Sequence, residues 1–194
     1  MNERFLRTEM ILGAPALDKL RRSHVAVFGL GGVGSYAAEC LARSGVGTLT
    51  LVDQDTVSVS NINRQLCALT STVGQYKAEV AAARVRDIDP DTVVYPICAT
   101  YDAAHRDAFF TGKFDYIADC IDLVTCKLDL IQQAAGISRE SARMFHLEMW
   151  IYVHGIAAMA ATSFLNWDTE LISASLTDAY RGLLARFKEK EAQE

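Results

Sequence analysis

The segment Gly29-Leu30-Gly31-Gly32-Val33-Gly34 constrains this chain more than any other. It follows a short apolar run, Val25-Ala26-Val27-Phe28, and opens a stretch to about Arg43 that reads as a helix. A G-x-G-x-x-G turn between strand and helix brings backbone N–H groups to the positive end of the helix, where a phosphate can sit. Such a turn belongs to parallel α/β sheets, and by itself it says only that a nucleotide fold is present.

The rest of the first two thirds fits that frame. Thr48–Asp53 reads as a second strand, Val93–Ile97 as a third and Asp115–Asp119 as a fourth. Pro96 marks the third as an edge or a strand end, because proline cannot donate to a ladder. Helices are expected at 15–22, at 74–87, ended by Asp89-Pro90-Asp91, at 103–110 and from about Thr125 to Ala135. Alternating strands and helices imply right-handed crossovers. The expected fold class is α/β, a Rossmann-type parallel sheet of about four strands.

The texture changes after Gly136. Ser138 suits a helix N-cap, and Ala142, Phe145, Met149, Tyr152, Ile156 and Met159 recur at helical spacing. Asn166-Trp167-Asp168 reads as a turn, with Asp168 capping a second helix along Ile172, Leu176, Ala179, Leu183 and Phe187. The expected domains are therefore 1–135, a nucleotide-binding Rossmann-type domain, and 136–194, a helical hairpin able to dimerise. Lys188-Glu189-Lys190-Glu191 reads as a solvated tail.

Composition excludes several classes. Apolar residues make up 51% of the 194, enough for a buried core. The net charge of -5 and the lack of a long basic run argue against specific DNA binding, so any nucleic-acid contact is local. The five cysteines form no C-x-x-C pair, which fits reduced thiols in a cytoplasmic protein rather than a zinc site. The N-terminus lacks a secretory apolar core. Residues 149–165 carry no charge, but their length and polar members fit a buried helix and no membrane span.

Asp53 stands about 20 residues beyond the glycine turn, where an acid can accept ribose hydroxyls. That pairing alone serves NAD or FAD as well as ATP. Asn61, Arg64, Gln65 and Lys77 favour ATP, because a fork and a point charge answer a triphosphate. Asp55 either caps a turn or supports a metal. Asp122, at the end of the fourth strand, could help hold Mg²⁺. Cys120 fits a core side chain better than a thioester nucleophile, and His146, Trp150 and His154 fit core or pocket lining better than a metal site.

Leu49-Thr-Leu-Val-Asp-Gln-Asp-Thr-Val57, Asn61-x-x-Arg64-Gln65, Val73-Gly-Gln-x-Lys77 and Asp119-Cys-Ile-Asp122 together resemble the ThiF/HesA/MoeB superfamily, which activates carboxylates by adenylation. With Arg4-Phe-Leu-Arg7-Thr-Glu at the start, the chain is most similar to its tRNA threonylcarbamoyladenosine dehydratase branch. Leu123 stands where sulfur-carrier-activating relatives have Asn. The resemblance implies ATP, Mg²⁺ and cyclisation of the threonylcarbamoyl group of a tRNA adenosine. By that resemblance Gly29, Gly31, Gly32 and Gly34 line the nucleotide, with Asp55 and Gln65 beside them. Asp53 holds the ribose, Asn61, Arg64 and Lys77 address the phosphates, and Asp122 supports Mg²⁺. Arg7 reaches into the partner's site in a homodimer, and a sulfur-transfer-type accessory protein is a further implied partner. Arg7, Arg64, Lys77 and Asp122 carry the catalytic roles.

The stretch from Met144 to Ala157, with Trp150 and His154-Gly155, instead resembles the C-terminal helices of TetR-type repressors, over about 136–187. It implies that a helical hairpin replaces the superfamily's second half. The alternatives are then a truncated or chimeric nucleotide module without turnover, or a regulator-like fusion.

Overall fold

Strand β1, His24–Phe28, alternates its side chains between two covered faces. Val25 and Val27 enter a core with Leu49, Leu51, Val94, Ala38, Ala42, Ala78, Ala82 and Val85. On the other side Phe28 meets Tyr101 edge-to-face, with ring centroids 5.1 Å apart. Burial on both faces is why this strand reads as an unbroken apolar run.

The computed structural model describes residues 3–101, 109–110, 113–122, 124–162 and 167–193. Within these, β2 (Thr48–Val52), β3 (Val93–Ile97) and β4 (Tyr116–Asp119) join β1 in a parallel sheet of order β3-β2-β1-β4. The chain steps outward from β1 to β3 and then crosses to the far side of β1. That reversal is a topological switch point, and ligands of such sheets bind at the strand ends there. Pro96 lies on the edge strand, opposite Leu51 of β2.

Helices α1 (Leu6–Leu12) and α2 (Ala14–Arg22) precede the sheet. Gly13, at φ 83°, breaks them apart. Only the second was expected, because α1 buries none of its residues and shows no apolar period to read. Helices α3 (Gly34–Ser44) and α4 (Lys77–Ile88) lie against the sheet. The expected start of α4 at Gly74 moves to Lys77, since 74–77 pair with the segment after β2. Most of the helix expected at 103–110 lies outside the described residues.

Arg21 of α2 donates to the fully buried carboxylate of Asp89 at 2.6 Å. The same oxygen, Oδ2, accepts from Thr92 Oγ1 at 3.0 Å. The Asp89 N–H closes α4 on Val85. One carboxylate thus fastens α2, the end of α4 and the approach to β3.

The chain divides into two compact units between Leu123 and Val124, rather than between 135 and 136. The earlier boundary arises because α5 (Val124–Ala135) supplies Ile131 and Ala135 to the second unit's core. That core holds Ile137, Ala142, Phe145 and Phe187 from α5's follow-on segment, α6 (Arg139–Ala161) and α7 (Thr169–Glu191). Ser138 caps α6 by accepting from the Ser141 N–H, and Asp168 caps α7 by accepting from Leu171, both as expected. Asn166 lies outside the described residues. Contacts of Tyr152 with Ser175, Glu148 with Arg186 and Ser138 with Glu191 run in opposite directions along the two helices, so they are antiparallel.

Hydrogen bonds from Ser138, then Ser141, hold the exposed Glu191 carboxyl below its ordinary range. The seam on α6 is shallower than expected: Tyr152 is exposed and pairs with Ser175. Trp150 and His154 are exposed too, and stack on each other along the helix rather than filling a core. The uncharged stretch is therefore a one-sided surface helix over its described part. No helix among the described residues is long and apolar enough to cross a membrane.

Candidate nucleotide site

The glycine turn leaves β1 at the switch point. Gly29 has φ 85°, a conformation that side chains rarely adopt. A Cβ there would stand 2.6 Å from the carbonyl oxygen of Cys120, just past β4. Gly34 folds back on the same place, so closely that its Cβ would lie 1.7 Å from Gly29 O. Gly31 and Gly32 differ. A Cβ on either would meet only Gln65 or Arg64, at ordinary contact distances. The first and last glycines therefore shape the turn, while the middle two leave its outer side approachable.

Asp53 follows β2 and fixes the turn. Its Oδ2 accepts from the Leu30 N–H at 2.6 Å and its Oδ1 from the Asp55 N–H at 2.8 Å. Both oxygens keep spare lone pairs for a ribose. Ser35 is a further fastener that sequence reading missed. Its hydroxyl donates to Gly31 O at 2.7 Å and accepts from the Leu66 N–H at 3.2 Å. It joins the turn to the 64–66 segment, and a serine in the first turn after the last glycine was the available signal.

That segment brings Gln65 against the glycines. Gln65 is buried, and its Oε1 has no hydrogen-bond partner. A buried carbonyl left unpaired costs about 1–3 kcal/mol, so this oxygen suits a ligand that donates to it. Arg64 is exposed and donates to Ser60 O and Asn63 Oδ1, both at 3.0 Å. Asn61 turns inward, its Oδ1 accepting from the Ser58 N–H at 3.1 Å. That bond makes Asn61 a cap for the short turn carrying Arg64. Lys77 opens α4, and its Nζ lies 2.8 Å from Asp55 Oδ2. Asp122 is exposed beyond β4, and Arg7 is exposed on α1. The turn, Asp53, Asp55, Gln65 and Lys77 are thus linked through direct bonds and contacts, with Arg64 packed against Gly32.

Cys67 lies beneath this loop, in the core with Leu30. Burial is the main cause that pushes its thiol up to about 11. At pH 8 only about one molecule in a thousand then carries the reactive thiolate. Alkylation at pH 8 followed by peptide mass spectrometry is expected to label the exposed Cys40 and Cys98 and to spare Cys67. Equal labelling of all three would refute that burial. Cys120 is partly buried against the same core, in keeping with a packing role.

The ThiF family pattern matches residues 4–181, and so runs past Gly136, where the sequence suggested a change of family. Among curated proteins, tRNA threonylcarbamoyladenosine dehydratase of Bacillus subtilis is 45% identical over 133 residues, 69% of this chain and 52% of that protein. Molybdopterin-synthase adenylyltransferase of Escherichia coli is 41% identical over 113 residues, 58% of this chain and 45% of the other. The crystal structure of the E. coli tRNA N6-threonylcarbamoyladenosine dehydratase in complex with ATP superposes with a TM-score of 0.67 at 41% identity. That match covers 68% of this chain and 54% of the other. The chain spans about half the length of these relatives. A glycine turn fastened by Asp53 at the switch point, together with a family pattern that takes in nearly all of the chain, makes this protein a member of the ThiF family.

Proposed function

We propose that this chain binds ATP at the glycine turn and activates a carboxylate by adenylation. The carboxylate is that of the threonylcarbamoyl group on a modified adenosine in tRNA. Its oxygen attacks the α-phosphorus and pyrophosphate leaves. The group's own nucleophile then closes the ring onto the activated carbonyl, and AMP departs.

The observation that carries this reading is the meeting of the glycine turn, Asp53 and the Arg64-Gln65 segment at one end of the sheet. The N–H groups at the start of α3 face that end and suit a phosphate. The unpaired Gln65 Oε1 asks for a donor, which a nucleoside supplies and a phosphate does not. Asp53 holds the ribose, Arg64 and Lys77 take the phosphates, and Asn61 supports Arg64 from below. Among the described residues no group of three or more His, Cys, Asp or Glu could hold a metal alone. Asp122 by itself fits Mg²⁺ that brings phosphate and water ligands with it. Bound there, Mg²⁺ would neutralise charge on the departing pyrophosphate.

The dehydratase relatives named above support tRNA as the substrate, and the cytoplasm is where such a substrate is found. The same reading places Arg7 in a second copy's site, and so makes the protein a homodimer. It also leaves room for a sulfur-transfer-type accessory partner.

Calorimetric titration with ATP tests the site. Arg64→Ala and Lys77→Ala are each expected to weaken binding by about tenfold or more, the worth of a charge-assisted hydrogen bond. Unchanged affinity in both would show the assignment to be wrong. A pyrophosphate-release assay with threonylcarbamoylated and unmodified tRNA tests turnover, and release is expected only with the former. Binding without release from either tRNA would mark a nucleotide-binding module instead.

A further inference from the structure

We propose that Asp55 is a positioning residue for Lys77 rather than a ligand of the nucleotide, an inference that rests on the ATP-site reading above. Residues 55–57 and 74–77 form a short antiparallel ribbon. The Lys77 N–H donates to Asp55 O at 3.0 Å, Thr56 bridges to Tyr76, and the Val57 N–H donates to Gln75 O at 2.8 Å. The ribbon brings the Asp55 carboxylate to the Lys77 ammonium at 2.8 Å. Asp55 is itself held by its N–H, which donates to Asp53 Oδ1, and Asp53 in turn holds the glycine turn through Leu30. An unbroken series of bonds therefore connects the turn to the lysine.

The pair is unequal. The lysine side chain is 6% exposed and the aspartate 57%. Water can satisfy the carboxylate without the lysine. The buried ammonium, in contrast, depends on its counter-charge to remain where it is. Asp55 takes one of the three ammonium donors and leaves the other two for phosphate oxygens. The first aspartate of Asp53-Gln-Asp55 thus sets the turn, and the second holds the cation.

The test compares wild type, Asp55→Asn, Asp55→Glu, Lys77→Ala and the Asp55→Asn/Lys77→Ala double variant. Two quantities are read: ATP affinity by calorimetry, and the rate at which an amine-reactive ester modifies Lys77, followed by peptide mass spectrometry. Asp55→Asn is expected to weaken ATP binding several-fold and to speed modification of Lys77 several-fold, because the amine loses the ion pair that holds it in its buried place and becomes open to the reagent. Asp55→Glu keeps the charge and is expected to restore much of both, which separates the effect from misfolding. In the Lys77→Ala background Asp55→Asn should cost nothing further.

An equal loss of affinity with and without Lys77 would overturn the proposal, since Asp55 would then touch the nucleotide or its metal directly. An unchanged modification rate in Asp55→Asn would overturn it as well. If Lys77→Ala leaves ATP affinity intact while Asp55→Asn still speeds modification, the ATP-site reading fails. The bond between the two side chains then stands without the purpose assigned to it.

Discussion

Replacing Gly34 with alanine is expected to lower the melting temperature by about 6–12 °C and to abolish ATP binding. The added methyl would fall 1.7 Å from Gly29 O and 2.8 Å from its carbonyl carbon. Both are backbone atoms, so no rotamer change can make room. Gly29 cannot retreat either, because it already lies against the Cys120 carbonyl at the end of β4. Overpacking of this kind costs about 3 kcal/mol or more, and each kcal/mol moves the midpoint of a chain this long by roughly 2–4 °C. Gly32→Ala is the control. Its methyl would meet Arg64 at 3.7 Å or beyond, so its stability should stay within about 1 kcal/mol of wild type. Thermal unfolding of the two variants side by side decides the matter. Equal midpoints would mean that close packing is not what reserves position 34 for glycine.

Asp89→Ala is expected to cost about 3 kcal/mol, and Arg21→Ala as much or more. Asp89 is fully buried, whereas the Arg21 side chain is 25% exposed. Removing the carboxylate leaves a guanidinium that can turn toward water and a Thr92 hydroxyl that still reaches Val46 O at 3.3 Å. Removing the arginine leaves a buried carboxylate whose Oδ1 already has no partner, and that is the costlier orphan. Arg21 also lies over the buried Phe5 ring, 4.4 Å from its centroid, which adds a packing loss. Denaturant unfolding of the single variants and the double variant measures this. The double should fall well short of the sum, because the second substitution removes a group that the first had stranded. Single-variant losses under about 0.5 kcal/mol would show that the pair contributes little.

The two central strands, β1 and β2, were legible within a residue or so, because runs buried on both faces are apolar throughout. Helix α1 was not, since Met10 and Ile11 are about four-fifths exposed and no buried stripe marks it. The division at Leu123 was hidden for a different reason. Residues 124–135 read as the next helix of a β-α repeat, and only tertiary packing shows that Ile131 sits with Phe145 and Phe187.

The glycine turn and Asp53 could be read because their spacing is fixed by the helix and strand between them. The partners of the other site residues could not. Asn61 turning to Ser58, Asp55 reaching Lys77 and Ser35 reaching Leu66 are side-chain choices that depend on where loops fold back. No spacing rule encodes them. The exposed positions of Trp150 and His154 escaped for a related reason: helical period locates a face but not what covers it.

The proline on the outer strand has a consequence for how this protein keeps company. The Val93 N–H points inward to Gly47 O, and Ile97 O points inward to the Asp53 N–H. Residues between them alternate, so position 96 faces away from the sheet. A proline there sacrifices no internal bond, and it removes one of the donors that a stray extended segment would need to add itself along this border. The β3 margin is in this sense a selvedge, finished so that the sheet does not go on growing into its neighbours at the concentrations a cell imposes.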